Sequence, residues 1–143
     1  MPQESGLLHK SPHTRYFEQS KCLSREWEKE TSGKDIVDFH MEILSHVMQK
    51  HEVSGIISDY SGVTDLNVAP EDVQKIAHLS TTLSWSLNNV EVAIVVNNPE
   101  ILRMAELWKQ LAAASRWDIG IFTSREAAES WLCDKLGITS IYA

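Results

Sequence analysis

The side chains in this sequence that could do chemistry are few and widely spaced. His40 falls among Ile36, Val37, Ile43, Leu44, Val47 and Met48, which recur at helical spacing, and His51 projects toward the same stripe. A buried imidazole can be tuned across neutral pH and act as an acid or base. No acid or nucleophile stands at a defined spacing from His40, so a hydrogen-bonded core histidine is the simpler reading. Asp59 and Tyr60 end the apolar run from Val53, and Asp65 follows. Open α/β sheets place their sites at the carboxyl ends of such strands. Asp and Ser are equally favoured in turns, and Asp59-Tyr60-Ser61-Gly62 reads first as a turn. Cys22 and Cys133 are isolated thiols without metal spacing. His9 and His13 flank Pro12, which spoils a shared helical face, and no third ligand is near.

Motifs with a built-in mechanism are missing. There is no Gly-x-Gly-x-x-Gly, no phosphate-binding loop ending in Gly-Lys-Ser/Thr, no Gly-x-Ser-x-Gly and no Cys-x-x-Cys. A response regulator would need an acidic pair after the first strand and a lysine after the last; here the last strand runs into Thr123-Ser124-Arg125. No metal and no cofactor is implied. A net charge of −7 argues against a nucleic-acid surface and against charge-driven binding to anionic lipid. No apolar run approaches the ~20 residues of a membrane span. Without an export signal, free thiols in a reducing cytoplasm are expected.

The elements that must position these residues are legible from periodicity and punctuation. Residues 1–13 read as a flexible polar tail, and 14–143 as a single domain. Arg15–Ser20 and Leu23–Thr31 read as an antiparallel hairpin, the second strand alternating apolar and charged residues as an edge or one-face-solvated strand does. Asp35 is the expected cap of a helix running to about Lys50. Val53–Tyr60 and Val90–Val96 are near-continuous apolar runs, the mark of buried parallel strands. Pro70-Glu71-Asp72 opens a helix with Val73, Ile76, Ala77, Ser80 and Leu83 on one face. Trp85 falls off that face and suggests a loop contact or a partner surface. A helix from Asn97 to about Ser115 carries Ile101, Met104, Trp108, Leu111 and Ala112 on its apolar face, with Leu102 and Leu107 off it, read as stray surface leucines or, together, as part of a dimer contact. A last strand ends at Phe122, Ser124 caps the helix that follows, and Gly137 stops it. The order predicts an α/β fold: a mixed sheet of four to five strands, N-terminal hairpin then parallel βα units, with about four helices.

From Val53 onward the chain resembles the SpoIIAA-like family, the STAS/SEC14-type domain of small bacterial proteins. Three blocks carry the likeness, over more than half the chain. They are Ile57-Ser-Asp59-Tyr-Ser-Gly-Val63 with Ala69-Pro70-Glu71-Asp72-Val73, then Val90–Val96 with Met104-Ala105 and Trp108, then Phe122-Thr-Ser-Arg-Glu-Ala-Ala128-Glu-Ser-Trp131-Leu132. The resemblance implies a β-sheet with helices and no established enzymatic activity. Anti-sigma-factor antagonists of the wider fold switch partners by phosphorylating a serine in a turn that opens a helix. Here the helix opens on Pro70-Glu71-Asp72 with no serine to modify, so the resemblance implies the fold without the phospho-switch, and no functional residue carries over.

The expected function is therefore a non-enzymatic interaction or regulatory module of the bacterial cytoplasm, binding another protein or a second copy of itself. The alternative is a carrier of a small apolar ligand held between helices and sheet, near Ile43, Trp108 and Trp131. An enzyme using Asp59 or His40 ranks last. The candidate site residues are Asp59, Tyr60, Trp85, Trp108 and His40.

Overall fold

The computed structural model describes residues 13–87 and 89–143. The flexible tail expected over residues 1–13 lies outside them except for His13, which is exposed. Five strands and four helices follow one another as β1 (Thr14–Phe17), β2 (Cys22–Ser32), α1 (Gly33–Met48), β3 (Gly55–Asn67), α2 (Pro70–Ser84), β4 (Val90–Val95), α3 (Pro99–Leu111), β5 (Trp117–Phe122) and α4 (Arg125–Leu136). They form the mixed α/β sheet that the alternation predicts, with strands adjacent in chain order. β1 pairs antiparallel with β2, and β2 through β5 are parallel.

Adding parallel strands successively on one side with crossovers of one hand puts every crossover helix on the same face. Accordingly α1, α2 and α3 share one face, where Phe39, Ile43, Ala77 and Ile101 pack on Leu23, Trp27, Ile56, Val92, Ile94 and Ile119. The final helix α4 covers the other face, where Ala128 and Leu132 meet Cys22, Ile57, Ala93 and Val95. β4 is buried from both sides, which is why it reads as an uninterrupted apolar run.

Helix ends are set locally. Ser32, not Asp35, is the N-cap of α1: its Oγ accepts from the Asp35 N–H at 3.2 Å while the Asp35 carboxylate accepts from the Ser32 N–H at 2.9 Å. Ser124 Oγ accepts from Ala127 N–H at 3.1 Å, and Gly137 ends α4 at φ 67°. Ile138 N–H then closes onto Cys133 O, the hydrophobically finished end that its position suggests.

Several expectations are corrected. β2 is no simple edge strand: it lies between β1 and β3, although β1 pairs only with Cys22–Arg25. β3 does not end at Asp59-Tyr60. It runs on to Asn67 beside the second half of β2, with register shifts between Glu26 and Glu28 and between Lys29 and Glu30. The turn-favouring residues are absorbed there as irregularities: Asp59 Oδ1 accepts from Ser61 N–H at 2.9 Å, and Gly62 sits against the Trp27 carbonyl. Leu102 and Leu107 are not stray surface leucines; Leu102 packs on the main cluster, and Leu107 on Val68, Val73 and Ile76. His51 lies beyond the end of α1, exposed, its ring stacked on Tyr16.

Candidate functional site

A cavity of about 80 Å³ lies between the layer of three helices and the sheet. Ile56, Val92 and Ile94 of β3 and β4 form its floor, while Phe39 and Ile43 of α1, Ile76 of α2 and Ile101 and Met104 of α3 wall it. Rings line it from both layers, Phe39 and Trp108 from the helices and Tyr60 and Trp117 from the sheet, beside the small Ala105 of α3. Of the expected site residues, the structure brings His40, Tyr60 and Trp108 together on this lining. Ile43 lines it too. Trp131 does not: it packs against Phe122 on the α4 face.

His40 is buried, and both its ring nitrogens are engaged. Nδ1 lies 2.9 Å from the Ile36 carbonyl, which can only accept, so Nδ1 carries the proton. Nε2 lies 2.7 Å from Ser80 Oγ. Burial holds the imidazole below its ordinary pKa, with the Ile36 carbonyl opposing, so the ring is neutral and Nε2 accepts from the Ser80 hydroxyl. Trp108 Nε1–H donates to the same Ser80 oxygen at 3.1 Å. One hydroxyl thus links α1, α2 and α3. A second polar group lies on β2 and β3. Trp27 Nε1–H donates to Ser58 Oγ at 2.8 Å, and its ring stacks on Tyr60. Burial pushes the Tyr60 phenol up to about 12.

Trp117 completes the lining. Its ring lies 6.0 Å from that of His40 and 6.5 Å from that of Trp108. Trp117 is 7% exposed, and its indole N–H has no hydrogen-bond partner.

The structure separates the other candidates from this cavity. Strand alternation turns Asp59 to the α4 face, where its carboxylate accepts from Arg125 at 3.1 Å. Arg125 also binds Glu129, Ser24 and the Tyr142 hydroxyl, which in turn donates to Glu129, so this cluster ties α4 and residues 138–143 to the sheet. His40 and Asp59 therefore face opposite sides of the sheet and form no acid–base pair. Trp85 is the C-cap residue of α2, 60% exposed, with the Arg116 guanidinium 4.5 Å from its ring centre. Sequence reasoning missed Ser58 and Trp117 on the lining, and Ser80 as the hydroxyl that His40 and Trp108 share. Their signal was a small hydroxyl inside an apolar strand, another inside an apolar helix face, and an aromatic at a strand's first residue.

Among the described residues, no group of three or more His, Cys, Asp or Glu side chains could hold a metal ion, and no helix is long and apolar enough to cross a membrane. No protein-family model matches the chain, and no curated protein matches it.

Proposed function

We propose that the chain is a non-enzymatic binding domain that holds a small, mostly apolar ligand in the cavity beneath α1, α2 and α3, as a carrier or sensor. One observation carries this reading: the cavity of about 80 Å³ is apolar except for a few polar groups fixed by their neighbours. Cavities of the same order, about 150 Å³, stay dry and take benzene-sized molecules. Kinship with SpoIIAA-like, STAS/SEC14-type domains is part of the proposal; successive parallel strands with helices returning over one face support it in outline. Toluene titrated into isotope-labelled protein is expected to shift the methyl resonances of Ile56, Val92 and Met104. Ala105→Leu, which fills the space, is expected to abolish those shifts while the rest of the spectrum stays folded. Unmoved methyls in the parent protein would sink the reading.

A second reading, an interaction module for a protein partner or a second copy, is favoured by one feature. Because α1, α2 and α3 all return antiparallel to the strands, their C-terminal ends share one end of the fold. Met48, Trp85 and Leu111 sit at those three ends and are 74%, 60% and 41% exposed. If sedimentation stays monomeric at every concentration and Trp85→Ala changes nothing that co-purifies, this reading fails.

A further inference from the structure

We infer that His46 and His51 form a binding site for a divalent transition-metal ion of the zinc type, held by both Nδ1 atoms at the C-terminal end of α1, with water in the remaining positions. The site is at the surface, and neither ring lines the cavity.

The end of α1 builds the pair. Lys50 takes the left-handed conformation at φ 64°. Its N–H closes onto Val47 O at 2.9 Å, and the His51 N–H closes onto His46 O at 2.8 Å. That double closure is a Schellman end, which brings the side chains at its two outer positions together, commonly as an apolar contact. Here both side chains are imidazoles, with their Nδ1 atoms 3.3 Å apart. Tyr16 of β1 packs on both rings, its centre 5.0 Å from that of His46 and 5.4 Å from that of His51. The Tyr16 hydroxyl donates to Glu52 O at 2.6 Å, so strand and helix end together hold the two rings in place.

A direct hydrogen bond is a weak reason for this contact. At 3.3 Å it is longer than the ~2.7–3.2 Å usual for an N–H donor. His51 is exposed, so water can serve its nitrogens without help from His46. The spacing does suit a metal. Two zinc–nitrogen bonds of about 2.0–2.1 Å whose nitrogens stand 3.3 Å apart enclose an angle of about 107°, near the tetrahedral value. A square-planar ion, with neighbouring ligands at right angles, would want the nitrogens about 2.9 Å apart, so zinc geometry is the better match. Neutral imidazole is a common metal ligand, and ligation through Nδ1 leaves Nε2 to carry the proton and donate a hydrogen bond. Among the described residues no third His, Cys, Asp or Glu joins the pair, so water completes the coordination and the ion stays exchangeable.

The experiment titrates zinc chloride into the full chain labelled with nitrogen-15 and follows the ring nitrogens of its six histidines. The Nδ1 signals of His46 and His51 are expected to move together and to saturate at one ion per chain. His51→Gln is expected to weaken binding at least about tenfold, the loss that even a change in the surroundings of a metal ligand produces, and His46→Gln to do the same. Lys50→Gly, which suits the left-handed position better, is expected to keep binding. Urea unfolding of each variant separates lost binding from lost structure; should one fail to fold, the other variant and the Nδ1 signals of the parent chain decide. Signals of the pair that stay still at about 1 mM zinc, where even a millimolar site is half filled, would overturn the inference. Shifts confined to His9, His13, His40 or His78 would overturn it too. The cavity reading stands or falls separately, on toluene.

Discussion

Ser80 has one hydroxyl hydrogen and three groups around it: Ile76 O at 2.8 Å, His40 Nε2 at 2.7 Å and Trp108 Nε1 at 3.1 Å. Ile76 O can take a backbone bond within α2, whereas the neutral His40 nitrogen has no other donor. Removing the hydroxyl by Ser80→Ala leaves His40 Nε2 and Trp108 Nε1 bare, at about 1–3 kcal/mol for each buried group. His40→Phe removes the acceptor without opening a hole and lets Ser80 turn to Ile76, so it costs only about 1 kcal/mol. Urea unfolding is expected to rank Ser80→Ala as the more damaging change, and the reverse order would remove Ser80 from the centre of the network. The same histidine gives a pH signature. Its pKa is lowered in the folded state from the ordinary 6.5, so the unfolded chain takes up the proton first. The resulting stability is present above about pH 6.5 and declines below it until the folded-state pKa is reached, with a slope of at most ~1.4 kcal/mol per pH unit. Unfolding measured from pH 7.5 down to pH 5 is expected to show that decline, flattened in His40→Phe. Tyr60 acts at the other extreme: tyrosinate absorbance is expected to reveal one phenol titrating near 12, with stability falling as pH rises above the ordinary 10.

Elements differ in how far their neighbours, rather than their own sequence, define them. α4 is announced locally by Ser124 and Gly137, and its Leu132 and Leu136 press so closely on the sheet that a side chain at residue 55 would have to displace them. A Cβ there would lie 2.9 Å from Leu136 Cδ1 and 3.0 Å from Cys22 Sγ. Gly55→Ala is therefore expected to cost about 1–3 kcal/mol by overpacking, read by chemical denaturation. A cost near zero would mean that α4 slides freely on this face. β3 is the opposite case. Its second half, Ser61–Asn67, carries Ser, Gly, Thr, Asp and Asn, which read as a loop, and it becomes a strand because β2 offers eleven residues to pair with. Val63, buried against the main cluster, anchors that ribbon; nothing within Ser61–Asn67 specifies its register without β2 alongside.

The molecule as a whole carries a cavity that its stability does not require. Filling it should therefore separate folding from binding. Ala105→Leu is expected to raise the melting temperature by a few degrees, as restored packing contacts do, while abolishing toluene binding; a variant that melts lower and still binds would place the space elsewhere. Composition, periodicity and caps determined by themselves that this chain makes a mixed sheet with a hairpin followed by parallel βα units, because those signals act between residues within a few positions of one another. They also indicated which face of α2 would turn inward and that β4 would be buried. Only the tertiary structure decided that His40, Ser80 and Trp108, 40 and 28 residues apart, would share one hydroxyl, that Asp59 would face away from them, and that Trp117 would be left with an unpaired donor. A cavity is the space remaining once side chains from six elements have packed, and no stretch of sequence encodes a volume that depends on all of them together.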